Sequence, residues 1–315
     1  MVKMKRVSLV VPVYNEEDNI KGFYDATIAA ASKLKEYEID IIFIDDCSRD
    51  MTPNVLEDLR GTDRRVGILR LSRNCGTHAA VSAGLNHCTA DAAIILAADL
   101  QEPPQIIVPK MVQEWKAGAS VVWGVRKARE GEGIMTILFS RLFYKMINCL
   151  TVTSLPESGV GAILVDRCVI DAYNQIDEKN PSVAMLIAWL GFSQKSISYI
   201  SEPRRHGKPK WTFTKKIKLA LDSIISFSYT PIRFMSLMGM VCTVIGMVYA
   251  SHILFNRLVH NVTVEGWASL MMAVLLIGGI QMMMLGVLGE YVWRTYDESR
   301  GRPRYVIEKN TLANK

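Results

Sequence analysis

The chain has 315 residues, which is enough for one large domain or two modest ones. Its net charge of +6 favours an anionic partner, a class that includes phosphates, lipid headgroups and nucleic acids. The mean hydropathy of +0.15 is high for a soluble enzyme, and the apolar excess lies in the last third of the chain. The six cysteines show no CxxC spacing, which is typical of reduced thiols and argues against a zinc site or a disulfide framework. We expect no signal peptide, because the apolar run after Arg6 is too short for one.

The first hundred residues alternate between short apolar runs and segments with helical spacing. The predicted strands are residues 7–13, 39–44, 66–71 and 92–98. Helices are predicted to begin near Asn19, Thr52 and Thr77. This alternation predicts an α/β domain with a parallel sheet and helices on both faces.

Polar or acidic residues follow several of these predicted strands. Asn15 follows the first, Asp45 and Asp46 end the second, and Asp99 ends the fourth. The carboxyl ends of parallel strands share one edge of a sheet, where such sheets bind ligands. Clustered carboxylates cost stability unless they bind something, so the sequence predicts a ligand site at this edge.

The fourth predicted strand leads into Asp99, Gln101 and two prolines. Two oxygen donors two residues apart on an extended chain point the same way and can share one hard cation. A cation beside a diphosphate stabilises it as a leaving group. Alternatively, Asp99 is the N-cap of a helix that starts near Pro103, and the residues leave both interpretations open.

Four segments of the chain resemble motifs of the inverting family 2 glycosyltransferases. They are PVYNEE at 12–17, DD at 45–46, the RNCG segment from 73 to 84, and ADLQEPP at 98–104. Their order and spacing are similar to those of the polyisoprenyl-phosphate sugar transferases, the dolichyl-phosphate mannose synthase and bactoprenol glucosyltransferase type. The resemblance covers essentially the whole chain and implies a GT-A, Rossmann-like fold.

The resemblance also implies a nucleotide-sugar site. Tyr14 and Glu16 would flank the base, and Asp45 and Asp46 would accept hydrogen bonds from base and ribose. The full set implied for this site is Pro12, Tyr14, Glu16, Asp45, Asp46, Asn74, Gly76 and Asp99. For Glu16 and Glu17 the alternative is that they stabilise a helix N-terminus by their charge.

One position departs from the family pattern, which usually has Asp-x-Asp where this chain has Ala97-Ala98-Asp99. Asp99 and Gln101 remain the expected ligands of a divalent cation, Mg²⁺ or Mn²⁺, with diphosphate oxygens and water completing the shell. Fewer anionic ligands should weaken metal affinity. A catalytically inactive protein therefore stays among the hypotheses.

The middle of the chain offers further candidates for the reaction. A predicted strand at 120–125 leads to Arg126 and Arg129, whose forked donors suit phosphate groups and which we expect to be catalytic. The alternative for both is solvated charge in a loop. Residues 134–152 predict an amphipathic helix near the acceptor site. Glu157 is the candidate for the acid that the family carries near the sugar, although an anionic phosphate acceptor needs no general base.

A basic loop follows the last predicted strand, at 197–200. It resembles the family's Arg-x-x-Gly-x-Ser-Lys-Tyr loop, with Pro209 in place of the serine. Arg204, Lys208 and Lys210 are expected to bind the donor diphosphate or the lipid phosphate, as a glycine-containing cationic loop can. A plain run of surface charge is the alternative.

The last third changes character. Residues 212–231 have the periodicity of a helix in the membrane interface, or of one packed on the catalytic domain. The uncharged stretches 234–256 and 267–289 are each long enough to span a bilayer. Cations flank this pair of stretches on both sides, which predicts that both termini are cytoplasmic. The expected organisation is a GT-A domain at 1–211, an interfacial helix at 212–231, a transmembrane hairpin at 232–294 and a tail at 295–315.

Together with the two apolar stretches, the resemblance implies an inverting transferase in the bacterial inner membrane that moves a sugar from a UDP- or GDP-linked donor to a polyprenyl phosphate. The expected partners are the nucleotide sugar, the lipid and the membrane, with a homo-oligomer, a flippase and a downstream transferase as further candidates and no nucleic acid. One alternative is a processive polysaccharide synthase, against which stand the missing Gln-x-x-Arg-Trp motif and the small number of spans. The other is an inactive membrane partner.

Overall fold

The structure is a computed structural model that describes residues 4–127, 156, 159–176, 178, 182–202, 230–260 and 266–312. The chain forms two compact units. The first comprises Met1–Ser226 with Pro303–Lys315, and the second comprises Phe227–Arg302. The predicted helices at 134–152 and 212–231 lie outside the described residues, except for the last two positions of the second.

The first unit is built on an eight-stranded sheet. Its strands are β1 (Lys5–Val13), β2 (Tyr37–Asp45), β3 (Val66–Leu71), β4 (Ala92–Ile95), β5 (Val121–Lys127), β6 (Val160–Asp166), β7 (Gln194–Ile200) and β8 (Ile307–Asn310). Its described helices are α1 (Glu17–Ala31), α2 (Thr52–Thr62), α3 (Thr77–His87), α4 (Pro104–Lys116), α5 (Arg167–Asn174) and α6 (Val183–Trp189). The strand order across the sheet is β7-β5-β6-β4-β1-β2-β3-β8.

The sheet is mixed. Strands β1 to β4 pair in parallel, as predicted for the first four strands. Strand β6 runs antiparallel to both β4 and β5, and β8 runs antiparallel to β3, which the sequence did not predict. Because β6 reverses the direction once, β5 and β7 again run parallel to β4. The ends of β1 to β5 and β7 and the start of β6 therefore share one edge, which we call the carboxyl edge.

Alternating strand residues bury side chains on both faces of the sheet. On one face, residues of β1 and β2 pack with Phe23 of α1, whose ring lies edge-on to Phe43 at 6.1 Å between centroids. On the other face, α3 approaches closely at Gly84. A Cβ at Gly84 would lie 2.5 Å from Val10 Cγ1 and 2.8 Å from Ile44 Cδ1, so only glycine fits. The prediction of helices on both faces is thus confirmed.

The final residues of the chain return to the sheet. Strand β8 pairs with β3, and the Ser72 amide donates to the Val306 carbonyl at 2.9 Å. Arg304 Nη2 donates to the carbonyl of Ile176 at 2.8 Å, which fixes the approach to β8. The sequence assigned residues 295–315 to a tail and did not predict this strand.

The second unit contains two long helices, α7 (Thr230–His260) and α8 (Trp267–Ser299). Within them, the segments Ile232–His252 and Ser269–Ser299 contain 18-residue windows with mean hydropathies of 1.7 and 2.2. No described part of these windows is buried inside the protein. A helix of about 20 such residues crosses a bilayer. By length and composition, these helices match the two predicted spans, and α8 continues past the predicted end of the second.

Candidate active site

The loops after β1 and β2 are tied to each other at the carboxyl edge. Asn15 has a left-handed backbone (φ 49°), its amide donates to Ser48 Oγ, and its side-chain oxygen accepts from the amide of Arg49, both at 2.9 Å. The amide of Glu16 donates to Thr52 Oγ1, also at 2.9 Å. Tyr14, a predicted neighbour of the base, is the first residue after β1 and precedes these bonds. The end of the PVYNEE segment is therefore fastened to the loop after β2.

Glu16 and Glu17 lie where α1 begins. This position agrees with the alternative interpretation, in which their charge stabilises a helix N-terminus. Glu17 and Asp18 are in its first turn, where negative charge is favourable. Glu17 also accepts a bond from the amide of Met51 at 2.7 Å, and Glu16 accepts one from Asn19 Nδ2 at 2.6 Å. Both carboxylates thus have structural partners, and base binding by Glu16 remains a prediction.

Asp45 and Asp46 are buried and hydrogen-bonded. Asp45 accepts from the Ser48 amide at 2.8 Å and from Arg70 Nη1 at 2.7 Å. Asp46 accepts from the amides of Cys75 and Gly76 at 2.6 and 2.9 Å. Burial raises the pKa of Asp46, although these two amides oppose the rise.

The Asp46 carboxylate therefore anchors the loop that carries Asn74 and Gly76. Gly76 has φ +88°, a left-handed conformation that glycine adopts without strain, and α3 begins at the next residue. The sequence missed this anchoring role. Carboxylate oxygens can accept more than one bond each, so the predicted contact of Asp46 with base or ribose stays open.

The segment around Asp99 is a turn and not an extended strand. Strand β4 ends at Ile95, Leu100 is left-handed (φ 60°), and Asp99 Oδ1 accepts from the Gln101 amide at 3.2 Å. The expectation that Asp99 and Gln101 align on an extended chain is therefore wrong. The N-cap alternative is wrong too, because α4 begins at Pro104 with Pro103 in the N-cap position.

A left-handed conformation costs a non-glycine residue roughly 1–2 kcal/mol. Asn15, Cys47 and Leu100 all adopt it, and each follows a strand at the carboxyl edge. Leu100 is only 5% exposed, so the packing of its side chain holds the backbone in this conformation. Backbone strain of this kind is concentrated at functional sites, where the surrounding contacts hold the residue in its unfavourable conformation.

The donor set near Asp99 fits a hard divalent cation. The carboxylate of Asp99 and the side-chain carbonyl of Gln101 are the oxygen ligands that Mg²⁺ and Mn²⁺ prefer. Among the described residues, no group of three or more His, Cys, Asp or Glu side chains could hold a metal ion. A cation there would need most of its ligands from another source. The oxygens of a bound substrate's diphosphate would supply them.

A buried cluster lies directly after this turn. Arg126 Nη2 donates to Glu102 Oε1 at 2.6 Å, and the Tyr199 hydroxyl donates to the same oxygen at 3.2 Å. Arg126 Nε lies 3.3 Å from Tyr199 Oη, to which it donates. The Glu102 side chain is 1% exposed and that of Arg126 is 31% exposed. We call these three residues the Glu102 cluster.

The electrostatics of the Glu102 cluster follow from its burial. Burial raises the pKa of Glu102 and that of Tyr199. Burial alone would lower the pKa of Arg126, but the Glu102 carboxylate raises it, so the guanidinium stays charged. The negative charge of Asp99 also raises the pKa of Glu102. Arg126 is thus a paired residue of β5, and its alternative as solvated loop charge is wrong.

The turn is also tied to the end of β7. The Gln101 carbonyl accepts from the Glu202 amide at 3.1 Å and from Ser201 Oγ at 3.3 Å. The chain then enters the basic loop. The remaining predicted site residues, Arg129, Glu157, Arg204, Lys208 and Lys210, lie outside the described residues.

Several known proteins are similar to this chain in sequence, and others are similar to it in fold. Residues 8–161 match the family model described as glycosyl transferase family 2. The prophage bactoprenol glucosyl transferase homolog of Escherichia coli is 35% identical over 304 residues, which cover 96% of this chain and 99% of that protein. The uncharacterized glycosyltransferase YkcC of Bacillus subtilis is 36% identical over 303 residues, covering 96% and 93%.

Among solved structures, glucosyl-3-phosphoglycerate synthase from Mycobacterium tuberculosis, in complex with Mn²⁺, UDP and phosphoglyceric acid, aligns with a TM-score of 0.50. That alignment has 16% identity and covers 70% of this chain and 76% of that chain. At this identity the likeness concerns the fold alone. The predicted GT-A-like α/β fold is confirmed.

Proposed function

Because the chain belongs to glycosyl transferase family 2, we propose that it transfers a sugar from a nucleotide sugar, UDP- or GDP-linked, to a polyprenyl phosphate such as undecaprenyl phosphate. The observation that carries this proposal is the near full-length similarity to proteins named for bactoprenol glucosyl transfer. The two apolar helices support it, because a lipid acceptor reaches an enzyme at the membrane. The product would serve modification of cell-envelope glycans.

The proposed reaction is a direct displacement with inversion. A phosphate oxygen of the lipid attacks the anomeric carbon as the bond to the nucleoside diphosphate breaks. The attacking oxygen already carries negative charge, so no side chain has to remove a proton. The polar loops after β1, β2 and β3 would hold the base and ribose, and Arg126 would contact a phosphate group.

Asp99 and Gln101 would hold a divalent cation, Mg²⁺ or Mn²⁺. When bound, such an ion neutralises charge that develops on the departing diphosphate. Support comes from the oxygen donors in the Asp99 turn and from the Mn²⁺ and UDP in the Mycobacterium tuberculosis structure. Ala97 leaves the chain one carboxylate short of the usual pair, so we expect weak metal binding without nucleotide.

We further propose that α7 and α8 form a transmembrane hairpin in the bacterial inner membrane, with both termini cytoplasmic. The cations that flank the hairpin in sequence support this orientation. The GT-A domain at 1–211 would then meet its soluble donor in the cytoplasm, and the interfacial helix at 212–231 would lie along the membrane. A flippase and a downstream transferase would have to act on a lipid-linked sugar made on that side.

The test is turnover by the purified full-length protein. It would be incubated in detergent with undecaprenyl phosphate, Mn²⁺ and a panel of labelled UDP- and GDP-sugars, and the lipid fraction would be analysed. We expect one donor to give a single-sugar lipid product. Polymer formation would indicate a processive synthase. No product from any donor, with nucleotide binding also absent, would favour the inactive partner that Ala97 suggests.

A further inference from the structure

We propose that Glu102 and Tyr199 are positioning residues that hold the Arg126 guanidinium at the carboxyl edge for a phosphate group. This inference rests on the proposed function, because it assigns the reaction's phosphate to a pre-oriented arginine. The phosphate is either the donor diphosphate or the lipid phosphate. Both present the same oxygen acceptors to a guanidinium, and substrate kinetics tell them apart.

The topology of the sheet brings the cluster together. Arg126 lies near the end of β5 and Tyr199 near the end of β7, and these parallel strands pair at that point. Glu102 lies in the turn after β4, three residues beyond Asp99. All three side chains therefore meet at the carboxyl edge, beside the turn that carries the expected metal ligands.

The hydrogen bonds fix the guanidinium on one side only. Glu102 accepts one bond from Nη2 and Tyr199 accepts the bond from Nε, so two of the three guanidinium nitrogens are restrained. A planar guanidinium has five N–H donors, and the remaining ones suit a tetrahedral phosphate. An arginine restrained in this way loses little entropy on binding, which favours affinity and orientation.

Gly161 leaves open the space that the Glu102 cluster occupies. It lies in β6, near the start of that strand at the carboxyl edge. A Cβ at Gly161 would overlap Tyr199 Oη, and it would lie 2.6 Å from Glu102 Oε1 and 3.1 Å from Arg126 Nε. A single absent side chain therefore permits all three residues to meet.

The test compares two buried tyrosines. Tyr199 is 3% exposed and Tyr173 is 2% exposed, and the Tyr173 hydroxyl pairs with Ser82 Oγ at 2.7 Å, outside the cluster. Tyr199→Phe and Tyr173→Phe each remove one buried hydroxyl, so both should lower thermal stability by similar amounts. Only Tyr199→Phe should lower kcat/KM by about tenfold, because misplacement of a positioned group impairs transfer.

A double-variant cycle with Arg126→Lys separates positioning from general damage. Lysine keeps the charge but not the fork, and we expect a loss of about 100-fold in kcat/KM. If Tyr199 acts through Arg126, the double variant should be no worse than Arg126→Lys alone. A rise in the KM for nucleotide sugar would assign the phosphate to the donor, and a rise in the KM for undecaprenyl phosphate would assign it to the lipid.

Two outcomes overturn the inference in an active enzyme: equal activity of the two tyrosine variants, or losses that multiply in the double variant. A wild-type protein without turnover overturns the proposed function instead. The positioning role is then judged by binding of UDP and of inorganic phosphate to the same variants. Equal binding of both ligands by Tyr199→Phe and Tyr173→Phe would also refute it.

Discussion

The two halves of the carboxyl edge hold their acids in different ways. On the β1–β3 side, Asp45 and Asp46 are held chiefly by backbone amides of the loops they organise. On the β4–β7 side, Glu102 is held by a cation and a hydroxyl from distant strands. An acid anchored by amides keeps partners after one side chain is lost, whereas a buried ion pair fails when either member is removed.

The largest expected effect comes from Arg126→Met. Among the described residues, this change leaves the buried carboxylate of Glu102 with Tyr199 as its one remaining side-chain partner, which should cost about 3–5 kcal/mol of unfolding free energy. The matched variant is Arg70→Met, after which Asp45 keeps the Ser48 amide, so a loss of only about 1–2 kcal/mol is expected. Denaturant unfolding of both variants in detergent measures the difference. Equal losses would remove the distinction between the two halves.

Next in size is the effect of Asp99→Asn on the chemical step. The carbonyl oxygen remains but the charge is lost, and kcat should fall by roughly 100-fold, or about 2.7 kcal/mol, with melting nearly unchanged. Ala97→Asp is the reciprocal variant. Ala97 is only half-buried, so a carboxylate there should tighten the Mn²⁺ dependence of UDP binding, measured by calorimetry. Wild-type kcat and an unchanged Mn²⁺ response in Asp99→Asn would show that Asp99 serves only the turn.

A smaller change is expected from Asp46→Asn on the other half of the edge. The new side-chain NH₂ group would face the backbone N–H of Cys75 or Gly76. Two hydrogen-bond donors would then oppose each other, and the loop would shift. We expect the donor KM to rise by about tenfold with kcat little changed, because the lost contact serves the ground state and the transition state alike. Asp63→Asn is the control, since Asp63 pairs with Arg65 at the end of α2. A similar rise in KM in that control would refute a specific role for Asp46.

The smallest effect concerns the link between β8 and the β1–β3 side. Arg70 bridges Asp45 and Glu308, at 2.7 and 2.9 Å, but Glu308 is 55% exposed. Exposed pairs contribute about 0–1 kcal/mol, so Glu308→Gln should change stability by less than that and leave the donor KM within about twofold. A much larger change in KM would mean that Glu308 orients Asp45 through Arg70.

The elements that sequence alone predicted were those with local signals. The apolar runs of β1 to β4 lie where the alternation placed them, and Asp45 ends β2 as predicted. The end of β4 was misjudged, because residues 96–98 remain apolar while the chain already turns toward the left-handed Leu100. The Glu102 cluster was missed because its members are 24 and 97 residues apart and meet only through the antiparallel β6. Strand β8 was missed because its residues IEKN lack any apolar alternation.

Strand β8 has a consequence for how the protein is made. Thr311, the residue after β8, bonds to Ile68 of β3, 243 residues earlier in the chain. Everything between them, both long helices included, is synthesised before β8 can pair with β3. Until β8 is made, β3 pairs with β2 on one side only, and the backbone groups of its other side form an edge that invites pairing with other chains. Such remote closure slows folding. The eight-stranded sheet can therefore be completed only after both long helices have been synthesised, so assembly of the first unit ends late in translation.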